Sequence, residues 1–263
     1  MALAVDTVSN LSNISWSEFY AWMGHYPIAA GRYFGGGHNW SDSEFTAAKS
    51  ATGGVLSRIM PLQGCQPSRQ ETDGTTGYDY GSADGKNTCG SIEKAISAGQ
   101  LALPSSAAVY VWLDVEPNVA ITPAYWAGWA NEVNRYGPFY ACIYTQYVDE
   151  SGVWVPQSTV QYALNNSYHY WPKAASVCWG LWTSEPEGCS LCPASAVPDW
   201  SVFGKFYQSY DGTNILVPLY LYQYAEKTVC VTDCGESSFA GKQNLDLDGT
   251  DSTGAEACML NIT

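Results

Sequence analysis

The sequence predicts an α/β fold, a single (β/α)8 TIM-like barrel spanning residues 1–263 with long loops at its C-terminal face. Three observations carry the prediction. The length of 263 residues suits one such barrel, which needs about 250. Eight short apolar runs have strand character, and amphipathic segments alternate with several of them, the pattern of parallel βαβ units. No internal repeat and no linker divides the chain. An open doubly wound sheet is the competing arrangement, but no Gly-x-Gly-x-x-Gly follows the first run.

In chain order, Leu3–Thr7 is the first strand-like run and Ser17–Met23 the first amphipathic stretch. Pro27–Tyr33 is the second run. It is followed by a helix over Ser41–Leu56, whose Ser41-Asp-Ser-Glu44 start has the form of a capping box. Arg58–Leu62 is the third run, followed by what reads as a long irregular insertion, Gln63–Gly90. A helix over Ser91–Leu101 puts Ile92 and Ile96 on one face, with Gly99 as its stop. Ala108–Asp114 and the helix Tyr125–Tyr136 form the next pair. The remaining runs are Pro138–Tyr144, Ser176–Trp182, Leu216–Tyr224 and Asn244–Leu247, with insertions at Thr145–Ala175, Thr183–Thr213 and Ala225–Gln243. Each insertion begins where a strand ends, on the face where barrels of this kind carry their chemistry.

Composition narrows the partners. With 11 Lys+Arg against 25 Asp+Glu the formal charge is −14, and phosphate binding needs the opposite footprint, so nucleic acid is excluded and anionic membranes are disfavoured. No apolar run approaches the roughly 20 residues of a membrane-spanning helix. Met1–Ala4 has neither the basic stretch nor the apolar core of a signal peptide. Even so, scarce Lys, abundant aromatics, nine cysteines and sequons at Asn10, Asn13, Asn39, Asn165 and Asn261 suggest a secreted monomer whose leader has been removed. Cys142 and Cys178 sit in apolar runs and read as plain buried thiols. Cys65, Cys89, Cys189, Cys192, Cys230, Cys234 and Cys258 sit in loops, a helix start or the tail, and disulfides are expected among the loop set. A zinc site at Cys189-x2-Cys192 with Cys230-x3-Cys234 is the lesser alternative, since its second spacing is loose and no His is near.

The sharpest chemical feature is Val109-Tyr-Val-Trp-Leu-Asp114-Val-Glu116. Strand side chains alternate with period two, so Asp114 and Glu116 share one side, about 7 Å apart, at the strand's C-terminal end. Asp6 ends the first run and Asp246 lies in the last, and a closed barrel sets those strands side by side. Four carboxylates then converge on one mouth. Glycoside hydrolysis needs one protonated and one ionised carboxyl group, and crowded acids separate their pKa values by like-charge repulsion. Tyr33, Tyr144, Trp182, Gln223 and Tyr224 end strand-like runs and could line a carbohydrate cleft, with Trp154, Tyr168, Tyr170, Trp171, Trp200 and Tyr207 added by the insertions. Arg32 could hold an anionic group or pair with an acid. No nucleophile elbow, His-Glu-x-x-His or phosphate loop is present, and Asp246-Leu-Asp248-Gly lacks the register of a calcium loop. No cofactor and no metal is expected.

Several pieces in order resemble the glycoside-hydrolase-like family known as domain of unknown function 1906, which is related to the family 25 muramidases. They are Val5-Asp6-Thr7, Ala30-Gly-Arg32-Tyr33-Phe34, Arg58-Ile-Met-Pro61-Leu62, Ser82-Ala-Asp84-Gly85, Tyr110-Val-Trp-Leu-Asp114-Val-Glu116, Phe139-Tyr-Ala-Cys-Ile-Tyr144-Thr145, Gly180-Leu-Trp182, Tyr222-Gln223-Tyr224 and Leu245-Asp246-Leu247. The resemblance implies an acid/base role for Glu116, with Asp6, Asp114 and Asp246 lining the site. It also implies retaining cleavage of a cell-wall glycan, assisted by the substrate's acetamido group. A catalytically silent glycan-binding protein on the same barrel is the alternative.

Overall fold

The computed structural model describes residues 3–35, 40–41, 43–71, 73–170, 177–184, 203–210, 212–225, 246–250 and 256–263. The chain is a mixed α/β protein built on a curled sheet. Seven strands run parallel in the order β1 (Leu3–Thr7), β2 (Ala29–Tyr33), β3 (Arg58–Gly64), β5 (Val109–Val115), β6 (Phe139–Glu150), β8 (Leu181–Ser184) and β11 (Leu219–Ala225). The eighth strand of the expected set, β12 (Asp246–Thr250), runs antiparallel to both β11 and β1. The expected eight parallel strands are therefore seven, with one short antiparallel strand bridging the first and the last.

Three further strands attach to this sheet. Between β3 and β5 along the chain comes the two-residue β4 (Leu101–Ala102), which joins the sheet through the C-terminal strand. The strand β7 (Val153–Pro156) folds back on the long end of β6 as a hairpin. The C-terminal β13 (Leu260–Ile262) pairs antiparallel with β4 and with the start of β3. Separately, β9 (Phe206–Tyr210) and β10 (Thr213–Val217) make a two-stranded ribbon, so the expected run Leu216–Tyr224 is split between β10 and β11.

Helices follow β1, β2, β3, β5 and the β6–β7 hairpin: α1 (Trp16–Met23), α2 (Glu44–Ala51), α3 (Gly74–Ser97), α4 (Pro123–Arg135) and α5 (Ser158–Asn166). The stop of α1 is Gly24, whose φ of 78° is open to glycine at no steric cost. Pro123 opens α4 behind the N-cap Thr122, whose side chain accepts from the Tyr125 amide. The expected insertion Gln63–Gly90 is corrected. Asp73 caps a 24-residue helix that runs through it to Ser97. The glycines that read as loop are contact points: Gly77, Gly81 and Gly85 are buried against α4 at a spacing of four. A Cβ at Gly81 would lie 2.1 Å from the Tyr125 carbonyl oxygen, and one at Gly128 would lie 2.1 Å from that of Tyr78. The two backbones touch, and only glycine leaves room.

Two apolar clusters divide the interior. Outside the sheet, Val5, Ala30, Ile59, Val111, Leu113 and Ile143 pack under the helices with Phe19, Phe45, Trp126 and Trp129. Inside the curl lie Ala4, Ala29, Tyr33, Met60, Leu62, Trp112, Cys142, Trp182, Leu221 and Met259. Strand residues of one parity point in and those of the other point out. Met259, just before β13, brings the C-terminal segment into the inner cluster.

Among the described residues Cys65, Cys89, Cys142, Cys178 and Cys258 are buried free thiols. This corrects the expectation of bridges for Cys65, Cys89 and Cys258, since among the described residues none of the three lies at bonding distance from another cysteine. Cys189, Cys192, Cys230 and Cys234, with Trp171 and Trp200, lie outside the described residues.

Candidate active site

The inward parity of β1 brings Ala4 and then Asp6 to the curl, and that of β2 brings Ala29, Gly31 and Tyr33. Space there is tight. A Cβ at Gly31 would approach Asp6 Cβ to 2.6 Å and Leu62 Cδ1 to 2.8 Å, so the bare glycine makes room for the aspartate. From β5, Trp112 and Asp114 face the same interior.

The Tyr33 hydroxyl donates to Asp114 Oδ2 at 2.6 Å. Both groups are withdrawn from water, with Asp114 at 3% exposure and Tyr33 at 9%. Burial pushes the Tyr33 phenol well above its ordinary pKa, and Asp114, Asp6 and Glu116 push it further in the same direction. The phenol thus senses all three carboxylates and stays protonated, able to donate, over the whole physiological range. Glu116, two residues beyond Asp114, is exposed at the rim, where its carbonyl accepts from the Val119 amide at 2.9 Å and starts the turn toward α4. A buried acid therefore lies beneath an exposed one at the C-terminal ends of the strands.

Beneath the acids the floor is aromatic. Trp182 meets Trp112 edge-on at 5.8 Å and Tyr144 edge-on at 5.1 Å. Trp182 is fully buried, so its ring supports the site from below; the half-buried Tyr144 lies above it. The expectation of Trp182 as a stacking surface is corrected accordingly.

Of the two roles open to Arg32, the structure gives the ion pair, made with Glu44 rather than with an acid of the mouth. Arg32 alternates with Gly31 and Tyr33 and so projects from the outer side of β2, where its Nε donates to Glu44 Oε1 at 2.6 Å in a fully buried ion pair. The same carboxylate accepts from the Leu11 amide at 2.9 Å and the Ser41 amide at 3.1 Å. The Glu half of the expected capping box is thus formed, while Ser43 replaces Ser41 as N-cap and α2 is confined to Glu44–Ala51. Arg32 ties a loop and a helix to the sheet rather than facing the mouth.

Asp246 opens β12 and pairs in register with Asp6, so the first and last strands do bring these two positions together. Gln223 pairs with Ser184 of β8 and Asp248 of β12, and the ladder shifts register between Gln223 and Ala225, at Tyr224. Such irregularities often occur beside active sites. The side chains of Asp246, Gln223 and Tyr224 lie outside the described part of the structure.

Sequence reasoning missed Gln66. A Cβ at Gly64 would meet Gln66 Nε2 at 3.6 Å and Tyr33 Cε1 at 3.8 Å, so this exposed amide sits over the inner face beside the Tyr33 ring. Its position two residues past the end of β3 was the available signal. Among the described residues no three His, Cys, Asp or Glu side chains gather as a metal site.

The fold and site define an α/β protein with carboxylates and a phenol gathered at the C-terminal ends of a curled parallel sheet. No protein-family model matches the chain, and no curated protein matches it. Among solved structures it is similar to an uncharacterized B. stearothermophilus protein, with 13% identity and a TM-score of 0.57 over 98% of this chain and 100% of that one. A muramidase from Acremonium alcalophilum also matches, at 14% identity and a TM-score of 0.43 over 98% of this chain and 97% of the other. At such identity the first likeness is one of fold.

Proposed function

We propose that the protein is a secreted glycoside hydrolase acting on a neutral or amino-sugar polysaccharide of a cell wall, and that the curled sheet with its bridging strand works as a TIM-type barrel. One observation carries the reading: the buried Tyr33 phenol is bonded to Asp114 and lies within the field of Asp6 and Glu116, so three carboxylates act on one phenol. In the proposed reaction Glu116 gives its proton to the glycosidic oxygen as the bond from that oxygen to the anomeric carbon breaks. The positive charge left on the sugar is met by Asp114, held by Tyr33, or by an acetamido oxygen that Asp114 orients. Water then adds at the anomeric carbon and returns a proton to Glu116. The overall charge of −14 supports neutral or cationic glycans over acidic ones.

The test is release of reducing ends from peptidoglycan, chitin, chitosan, galactosaminoglycan and arabinan by wild type, Glu116→Gln and Asp114→Asn. Loss of general acid catalysis costs about 10²–10⁴ in rate, so Glu116→Gln is expected to lose at least about a hundredfold on whichever glycan wild type cleaves. Full activity in that variant overturns the assignment. Recovery of bound, intact glycan with wild type identifies a glycan-binding protein that performs no cleavage.

A further inference from the structure

A cavity of about 660 Å³ opens next to the mouth, outside the acid site. Its walls come from three connections on the same face: Glu71 beyond β3, Ile121 and Pro123 in the run from Glu116 into α4, and Ser158 and Tyr162 at the start of α5, with Tyr170 closing one side. The link to the site is short. Gln157, next to Ser158, donates to the Val115 carbonyl at 3.3 Å and to Thr145 Oγ1 at 2.9 Å, pinning the start of α5 to the ends of β5 and β6. The Glu116–Val119 turn then runs directly into the cavity wall.

Its chemistry is specific. Ile121, Pro123 and Ala124 make a buried apolar floor, while Tyr162 at 61% exposure and Tyr170 at 40% stand as uncovered rings along the rim. The Tyr170 ring lies tight against α3, since a Cβ at Gly74 would come within 2.5 Å of its Cε1. It also walls a second hollow, of about 420 Å³, so the two lie side by side with the Tyr170 ring between them, and together they form one groove. Asp73 and Asp79 line that hollow, and among the described residues His169 is the only basic side chain along either.

We infer that this groove is a second glycan-binding site, which takes several units of a neutral, N-acetylated amino-sugar polymer beyond those held at the mouth. The inference rests on the glycan reading of the acid site. Flat, amphipathic tyrosine rings match the C–H faces of pyranoses, and the volume is that of a small-molecule site, about 300–1,000 Å³. The acids along the groove repel uronic and sulfated sugars. The apolar floor favours an acetamido methyl over a free ammonium, which would lose its hydration against Ile121 and Pro123. A groove adjoining the mouth makes the protein a reader of long chains rather than of disaccharides.

The experiment is calorimetric titration of wild type, Tyr162→Ala, Ser158→Trp and Glu116→Gln with the N-acetylglucosamine hexamer, its dimer and the unacetylated glucosamine hexamer. Tyr162 and Ser158 are exposed, so neither change removes core packing, and Ser158→Trp fills the groove instead of emptying it. Wild type is expected to bind the acetylated hexamer most tightly. The worth of one aromatic contact translates into a three- to tenfold loss, roughly, for Tyr162→Ala with the hexamer and none with the dimer, and Ser158→Trp behaves likewise. Equal affinity of wild type for hexamer and dimer, or unchanged hexamer binding in both groove variants, overturns the inference. Groove variants that lose hexamer binding while Glu116→Gln keeps full turnover leave the groove standing and remove the carboxylate mechanism.

Discussion

Tyr33 on β2 reaches across β3 to donate its hydroxyl to Asp114 on β5. The bond joins two buried groups over a strand that contributes no acid, and it fixes the orientation of the carboxylate below Glu116. Tyr33→Phe keeps the ring and its packing and removes only this donor. A hydrogen bond to a charged group is worth about 1.5–3 kcal/mol, so kcat is expected to fall about ten- to a hundredfold with KM little changed. Steady-state kinetics on the cleaved glycan measure that split, and a change confined to KM removes the positioning role.

Alkali is expected to unfold the protein through its buried phenols and thiols. Burial holds Tyr33, Tyr125, Tyr110 and Tyr147 above the ordinary tyrosine value, holds Cys65 and Cys142 above the ordinary thiol value, and pushes Cys178 up to about 12. In the unfolded chain these groups ionise near 8.5 for Cys and about 10 for Tyr. Above those values the unfolded state sheds protons that the folded state keeps, so stability is full below about pH 8 and declines as pH rises toward the folded-state values. Urea midpoints from pH 7 to 11, followed together with phenolate absorbance, test this. Phenols that titrate reversibly near pH 10 with a constant midpoint contradict it.

The buried pair of Arg32 and Glu44 calls for unequal mutational costs. Glu44→Leu removes the acceptor of the Arg32 Nε and of the Leu11 and Ser41 amides together, whereas Arg32→Met leaves the carboxylate with those two amide donors. Breaking a buried pair costs about 3–5 kcal/mol. Glu44→Leu is expected at or above the top of that range and Arg32→Met below it, with the double variant less destabilised than the sum of the two. Denaturant unfolding gives all three values. Because Arg32 lies on the outer face, Arg32→Met should bind glycan as wild type does; weakened binding would return Arg32 to the site.

The five described cysteines should behave as thiols. Native Cys65, Cys89, Cys142 and Cys178 are buried and are expected to resist alkylation, then to react in denaturant without a reductant. Peptide mass mapping of the two states reads this directly, and any of the five recovered only after reduction shows a bridge.

The strands and their inward residues were legible because β1, β2 and β5 are apolar runs that end in polar side chains, and period two then assigns each residue a side. The same rule bears on Arg32 and Tyr33: adjacent residues of one strand face opposite ways, so only one of them could belong to the mouth. Of helix α3 only the C-terminal part, Ser91–Ser97, was legible, where Ile92 and Ile96 share a face; the part before it was not. Gly77, Gly81 and Gly85 carry the composition of a loop, and their reason lies in α4, some forty residues on. Nor was the direction of β12, since a five-residue strand has no periodicity that distinguishes parallel from antiparallel. Cys65 and Cys89 were misread for a related reason. Polar neighbours in sequence suggested loops, while burial came from tertiary packing.

The glycine contact between α3 and α4 sets two effects of opposite sign against each other. Gly→Ala in a helix interior ordinarily gains up to about 1 kcal/mol of propensity, and at Gly90, where an added Cβ meets nothing within 4 Å, that gain should be realised. At Gly81 and Gly128 the added methyl would sit 2.1 Å from a backbone carbonyl oxygen, which no rotamer change relieves. The helices must separate, and overpacking costs of about 1–3 kcal/mol or more then exceed the propensity gain. Gly81→Ala and Gly128→Ala are therefore expected to lower the denaturation midpoint while Gly90→Ala leaves it level or raises it. If Gly81→Ala and Gly90→Ala shift it in the same direction, α3 and α4 do not meet through their backbones.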